Sequence, residues 1–203
     1  MKHGTIVSAL GVILSATASQ AAITGVTGSA TWLGVAPPSC VPGALTGPTV
    51  YTWDEQQNVF TGGVFVDMVN NPGSSGGAIS GVIGGNFDSH FLHLEDYTGV
   101  GPFIGSVTFS GQIIGVVFVN TTLDSTDAGF GALGTAYPTT YPFRGLNTQS
   151  SFSISGNTLK FNLWSISPVP EVVQIRVLTH PVPAPGPLAL LGLGGLCVAR
   201  RRR

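Results

Sequence analysis

The chain has 203 residues, of which only 8% are charged, and its formal net charge is −1. With its two termini set aside, the body keeps three basic and nine acidic residues and a net charge of −6, which argues against a nucleic-acid partner. Two cysteines are too few for a disulfide framework.

The first 22 residues have the pattern of a secretory signal peptide. A short basic start at 1–3 precedes an apolar stretch over 5–18, and Ser19 and Ala21 put small residues at the positions that define a cleavage site. We expect cleavage after Ala21 or Ala22 by the secretion machinery. An uncleaved anchor helix is the weaker alternative, because the apolar stretch is brief and rich in Ser and Thr.

Residues 23–180 are expected to form one all-β body. The clearest signal is a hairpin, with alternating strands at 151–155 and 158–164 joined by Gly156 and Asn157. We expect its apolar side chains to face one core; these are Phe152, Ile154, Leu159, Phe161 and Leu163. Further strands are predicted over 28–33, 50–53, 59–69, 89–94, 106–109, 113–119 and 171–179.

Several short strands separated by Gly and Pro turns predict an antiparallel β-sandwich of jelly-roll type. Strands 106–109 and 113–119 are expected to pair, and the second to be central because it is apolar on both faces. Gly115 in that strand indicates a bulge or a close approach of the backbone. No segment of the body predicts a helix, and 35–48, 70–77 and 123–144 are expected to be loops.

A serine motif and two histidines are candidates for chemistry. Ser75 lies in a Gly-x-Ser-x-Gly sequence, which in hydrolases presents a nucleophile at a turn between strand and helix, but no helix follows it here. Its partners in chain order are Asp124 and His180. His90 and His93 are three apart in a strand and point to opposite faces, so they do not share a metal. We expect a Gly/Ser loop, hydrogen-bonded histidines and no catalytic residue.

Two acids and three aromatic residues are candidates for binding. Asp124 and Asp127 flank a short loop and are weak calcium candidates; no other metal or cofactor is expected. Tyr137, Tyr141 and Phe143 lie in one Pro-rich loop and are candidates for stacking on sugar rings. The alternative is that these rings fold back onto the sandwich.

Residues 181–203 combine a proline-rich hinge, an apolar segment and a basic end. The uncharged segment 188–199 forms a helix of about 18 Å, shorter than the roughly 30 Å bilayer core, but flanking arginines extend its effective length by snorkelling. It has no polar face, so we expect a short transmembrane helix with the body facing outward. The anchor residues are Leu188, Leu190, Leu191, Leu193, Leu196 and Val198, and the basic tail is Arg200, Arg201, Arg202 and Arg203.

This tail resembles the PEP-CTERM sorting signal of exported bacterial proteins. In that family a Pro-Glu-Pro motif precedes a short apolar helix and an arginine cluster; here the motif is Pro183, Ala184 and Pro185, with alanine in place of the glutamate. The resemblance implies that an exosortase, a membrane protease-transpeptidase, recognises and processes the tail. It also implies an inner-membrane-tethered precursor that ends at the cell surface or is secreted.

These features together predict an exported cell-surface or extracellular-matrix protein that is not an enzyme. Association with biofilm or extracellular polysaccharide is implied by the resemblance, because exosortase systems accompany polysaccharide production. The alternative is a carbohydrate-binding module that uses the aromatic loop at 137–143.

Overall fold

The structure is a computed structural model that describes residues 22–96, 101–165 and 171–182. The predicted signal peptide and tail lie outside these residues except for positions 22, 181 and 182. No helix in these three ranges is both long enough and apolar enough to cross a membrane.

Eleven strands and one α-helix make up the described body. The strands are β1 (Ile23–Gly28), β2 (Ala30–Trp32), β3 (Val50–Asp54), β4 (Val59–Val66), β5 (Gly73–Ser74), β6 (Gly81–Leu94), β7 (Phe103–Phe109), β8 (Ile113–Val117), β9 (Ser151–Ser155), β10 (Thr158–Leu163) and β11 (Val173–Thr179). The helix α1 spans Asn120–Phe130 and a 3₁₀ turn spans Ser75–Gly77.

The strands form two sheets with mainly antiparallel pairing. Sheet A has the order β1-β7-β10-β9-β5, and sheet B has the order β2-β3-β6-β11-β8, with β4 paired to β6. Among the strand pairs of the described residues, only β2 and β3 are parallel. The all-β prediction is therefore confirmed.

The hairpin of β9 and β10 is confirmed together with its core face. Phe161 pairs with Phe152, and Leu159 pairs with Ile154. All five of its predicted apolar side chains are buried in the cluster between the two sheets. The alternation of apolar and polar residues predicts burial correctly here because only one face of sheet A is covered. Every second side chain of these strands therefore points into the core.

Sheet B, by contrast, is buried on both faces. One face packs on sheet A, while Trp53, Phe91 and Leu178 on the other face join a second cluster with Leu123 and Phe130 of α1. The body therefore has three layers, and the strands of sheet B do not alternate between apolar and polar residues. β11, for example, is buried at every position.

Strand β6 divides into two halves with different partners. Its second half pairs with β3 and β11, whereas its first half, Gly81 to Phe87, pairs with β4. We call the two-stranded unit of β4 and this first half the ribbon. Val66 and Ile83 of the ribbon lie over Gly115 in β8, so the ribbon covers part of the outer face of sheet B.

Two predictions about the segment 113–119 are wrong. β8 stands at the end of the order in sheet B and is not central. Its residues are apolar on both faces because sheet A covers one face and the ribbon covers the other. Nor does it pair with β7, which lies in sheet A, because residues 110–112 carry the chain from one sheet to the other. The close approach expected at Gly115 is confirmed.

The prediction that 123–144 is entirely loop is also wrong, because α1 occupies its first part. The helix has no side-chain cap of its own at Val119. Instead Asp67 accepts hydrogen bonds from the backbone N–H groups of Phe118 and Val119 at 2.7 and 2.9 Å, and from the Thr122 hydroxyl at 2.8 Å. The backbone N–H groups just before the helix and the hydroxyl of its first turn are thus bound by a residue from a distant part of the chain.

Candidate functional site

A buried ionic cluster lies between the outer face of sheet B, α1 and the segment that follows α1. Its centre is Arg176 of β11, whose side chain is fully buried. The guanidinium donates to Glu55 at 2.7 and 3.0 Å, to Asp127 at 2.9 Å and to the Thr126 hydroxyl at 2.6 Å. We call this group, together with Arg144, Asp124 and Tyr137, the Arg176 cluster.

Arg144 extends the cluster to the second acid of α1. Its Nη1 atom lies 2.7 Å from both Asp124 and Asp127, and its Nε donates to Gln174 at 2.6 Å. Both calcium candidates therefore use carboxylate oxygens to bind a guanidinium. Within the described ranges, no group of three or more His, Cys, Asp or Glu residues is placed to hold a metal ion.

The first aromatic candidate, Tyr137, points into this cluster. Its hydroxyl donates to Glu55 and accepts from the Ala132 N–H at 2.9 Å. The Arg176 guanidinium carbon lies 5.4 Å from the centre of the ring, and Phe91 meets the ring edge-on at 5.3 Å. Tyr137 is thus held by the protein itself and does not offer a free face to a sugar.

Burial and charge together shift the pKa values of Tyr137 and Arg176 in the cluster. Burial raises the pKa of the Tyr137 phenol, and the charge and hydrogen bond of Glu55 raise it further. Burial alone would lower the pKa of Arg176, but the ion pair with Glu55 outweighs it and the pKa is raised. The Tyr137 phenol therefore stays neutral and donates to Glu55, and the Arg176 guanidinium stays charged. Because Arg176 lies in sheet B and binds Asp127 of α1, this ion pair ties the helix to the sheet.

The other two aromatic candidates are placed differently. Tyr141 and Phe143 form an edge-to-face pair with ring centroids 6.0 Å apart. Phe143 is 49% exposed, and Tyr141 is partly exposed. The loop thus divides into an inward tyrosine and an outward aromatic pair.

The two histidines lie on opposite faces of β6, as predicted. His93 accepts from Gln174 at 2.9 Å and donates to the Leu45 carbonyl at 3.1 Å. His90 faces sheet A, with Asp54 2.6 Å from Nδ1 and the Thr179 hydroxyl 3.1 Å from Nε2.

The Asp54–His90–Thr179 chain has the connectivity of a catalytic triad. His90 and Thr179 are both 0% exposed, and the His90 ring stacks near Phe109 at 4.6 Å. A nucleophile without access to substrate performs no chemistry. We therefore regard these three hydrogen-bonded side chains as part of the packing between the sheets.

Ser75 lies in the 3₁₀ turn beside β9, and the next element after this turn is the strand β6, not a helix. Its hydroxyl accepts from the Phe152 N–H at 3.2 Å. Both ring nitrogens of His90 and of His93 already have partners in the contacts given above, so neither histidine is a base for Ser75. Ser75 therefore has the role of a hydrogen-bonding loop residue in this structure.

Ser75 also borders an open groove of about 470 Å³ on the outer face of sheet A. A polar residue from each strand forms one row across this face through the sheet register; the row is Ser74, Ser153, Lys160, Ser106 and Thr27. Asn162 lines the groove too, and its buried Oδ1 has no hydrogen-bond partner. This face offers hydroxyl groups and an amine along an open groove.

Sequence reasoning missed Glu55, Arg144, Arg176 and Gln174 as members of one site. One signal was present: Arg176 interrupts an otherwise mainly apolar strand, and a buried charge requires a partner. The partners themselves come from distant parts of the chain.

The chain was compared with protein-family models, with curated proteins and with solved structures, and none of the three comparisons found a match.

Proposed function

We propose that the chain is an exported protein that is sorted through its carboxyl-terminal tail and serves, without catalytic activity, at the cell surface or in a polysaccharide-containing matrix. The observation that carries this proposal is where the first and last described strands lie in the sequence. β1 begins at Ile23, directly after the proposed signal cleavage, and β11 ends at Thr179, just before the proposed sorting motif at 183–185. The described strands thus lie between the two proposed sorting segments.

The distribution of charge supports this role. Two of the three bases of the body, Arg144 and Arg176, are buried in ion pairs, and Lys160 is the exposed one. A surface with so little positive charge suits neither nucleic acid nor another polyanion. The proposed partners are the secretion machinery, an exosortase, the membrane and extracellular polysaccharide.

Deletion of residues 183–203 tests the sorting proposal. We expect the truncated protein to appear in the medium, while the full chain passes through a membrane-bound precursor detected by fractionation and immunoblotting. Persistent membrane retention of the truncated protein contradicts the proposal. Ala184→Glu should leave processing equal or faster, and Ala184→Gln serves as the uncharged control of the same size.

The alternative proposal is a carbohydrate-binding module. Two surfaces support it, namely the exposed pair of Tyr141 and Phe143 and the polar row on sheet A, because sugars bind through aromatic stacking and through hydroxyl hydrogen bonds. On a glycan array, Tyr141→Ala with Phe143→Ala tests the first surface and Ser153→Ala with Lys160→Ala tests the second. Absence of any hit with the unmodified chain removes the alternative.

The jelly-roll assignment is also part of the proposal. Along the chain, β1 lies in sheet A, β2 and β3 lie in sheet B, and the strands from β5 to β8 alternate between the sheets. Repeated crossing from sheet to sheet is typical of jelly rolls and related sandwiches.

A further inference from the structure

The outward face of the ribbon carries exposed apolar side chains. Phe60 is 75% exposed, Phe65 is 51% exposed and Val82 is 70% exposed, and Ile79, just before β6, is 60% exposed. Phe65 and Val82 are direct cross-strand partners and so lie side by side. An apolar group of this kind on the surface of an extracellular domain indicates a contact surface.

The ribbon is held so that this face stays outward. Its opposite face is fixed by Val66 and Ile83, which pack on Gly115 of β8. Between Phe60 and the pair of Phe65 and Val82 the strands contain glycines at 62, 63 and 84. The outward face therefore has apolar side chains at both ends and little side-chain bulk between them.

The segment around the ribbon is almost without charge. Residues 56–87 contain a single charged residue, Asp67, which is 9% exposed and is occupied by its three hydrogen bonds at the start of α1. Therefore no exposed charge of this segment loses its water when the surface is buried. A hydrocarbon environment is compatible with such a surface.

The ribbon also lies at the end of sheet B where the described chain leaves the body. Thr179 at the end of β11 pairs with Asp88, and Asp88 accepts a hydrogen bond from the Asn58 N–H at 2.6 Å. The next pair, Val59 with Phe87, begins the ribbon. The proposed anchor starts at Leu188, six residues after Val182, which is at most about 20 Å of extended chain.

We propose that the outward face of the ribbon binds the lipid bilayer surface and lays the tethered body on the membrane before the tail is processed. This inference rests on the proposed tether for its location. A glycan is a poorer occupant, because Asn86 on this face already bonds to Asn58 at 2.8 Å and the other exposed groups are apolar. A second copy of the chain is also poorer, since four side chains bury far less than the roughly 1,200 Å² of a stable interface.

The test uses the full chain reconstituted into phosphatidylethanolamine–phosphatidylglycerol vesicles, in a Cys197→Ser background. Phe60→Cys is labelled with a polarity-sensitive fluorophore; Cys40 is fully buried and stays unlabelled. The matched control is Ile104→Cys, at a position 57% exposed on sheet A. We expect a blue shift and quenching by brominated lipids at position 60, and water-like emission at position 104.

The outcomes separate this inference from the tether proposal. Water-like emission at position 60 in vesicle-bound protein overturns the ribbon contact and leaves the tether standing. Flotation that is lost in Phe60→Ser with Phe65→Ser, but kept on deletion of 183–203, supports the ribbon and overturns the tether. A blue shift that needs no vesicles and rises with protein concentration shows contact between copies and overturns the lipid proposal.

Discussion

Arg176 and Glu55, 121 residues apart in the chain, form a two-point ion pair in which Nε and Nη2 donate at 2.7 and 3.0 Å. Both side chains are 0% exposed. The pair joins the segment after β3 to the middle of β11, and Asp127 of α1 shares the same guanidinium. Three parts of the chain are therefore fixed by one buried cation.

Loss of this cation is expected to destabilise the fold strongly. Arg176→Met keeps a long apolar stem but leaves Glu55 buried without its partner, which costs about 3–5 kcal/mol. Urea unfolding followed by tryptophan fluorescence measures the change. Lys160→Met, at an exposed position on sheet A, is the control and should stay within about 0.5 kcal/mol of wild type. Equal stability of Arg176→Met and wild type contradicts the assignment.

The hydroxyl of Tyr137 is expected to contribute to the stability of the fold. Tyr137→Phe removes the donor to Glu55 and the acceptor for Ala132, and should lower the free energy of unfolding by about 1–3 kcal/mol. Tyr51→Phe is the comparison, because the Tyr51 hydroxyl donates to the Thr46 carbonyl at 3.3 Å in an exposed hydrogen bond. We expect it to shift the denaturant midpoint less than Tyr137→Phe does, since water can replace the lost partner; an equal shift contradicts the role given to the Tyr137 hydroxyl.

Stability is expected to fall in alkaline solution because of Cys40. Burial raises the pKa of its thiol from 9.0 to about 12. Above pH 9 the unfolded chain loses this proton while the folded chain keeps it. The free energy of unfolding therefore falls by about 1.4 kcal/mol per pH unit until the folded pKa is reached.

Cys40→Ala isolates this contribution. The difference in unfolding free energy between wild type and the variant should be constant below pH 8 and should shrink between pH 9 and pH 10, as measured by urea titrations at each pH. A difference that does not change over this range shows that the thiol does not titrate differently in the two states.

Addition of one methyl group at Gly115 is expected to disturb the packing of the ribbon. A Cβ atom there would lie 2.8 Å from Ile83 Cδ1 and 3.2 Å from Val66 Cγ1. Overpacking of this kind typically costs about 1–3 kcal/mol. Gly25→Ala in β1, where a Cβ meets no atom within 4 Å, is the control. Equal thermal midpoints for the two variants would show that the ribbon does not rest on β8.

The sequence predicts the core face of the β9–β10 hairpin better than the position of β8 in its sheet, and burial explains the difference. β9 and β10 cover a core with one face only, so Phe152 and Phe161 alternate with polar residues and reveal both the strands and their shared face. Sheet B is covered on both sides. The apolar run of β8 therefore shows that it is buried, but it does not show whether it lies at the centre or the edge.

Long-range partners account for most of the remaining differences. The start of α1 is stabilised by Asp67, which lies 52 residues before Val119 in the sequence, so no local capping signal marks the helix. In the same way, the sequence shows Asp124 and Asp127 as two acids without a visible partner. In the structure Arg144 and Arg176 lie beside them and form ion pairs. Residue type indicated binding chemistry, but the tertiary structure decides what is bound.

The position of β11 has a mechanical consequence. This strand is hydrogen-bonded to β6 on one side and to β8 on the other, and the chain continues from its end toward the carboxyl terminus. A pull on that terminus loads β11 along its own axis, so the hydrogen bonds perpendicular to it share the force instead of opening one at a time. A force applied at the carboxyl terminus, for example by flowing liquid, would therefore have to break many of these hydrogen bonds together before β11 leaves the sheet.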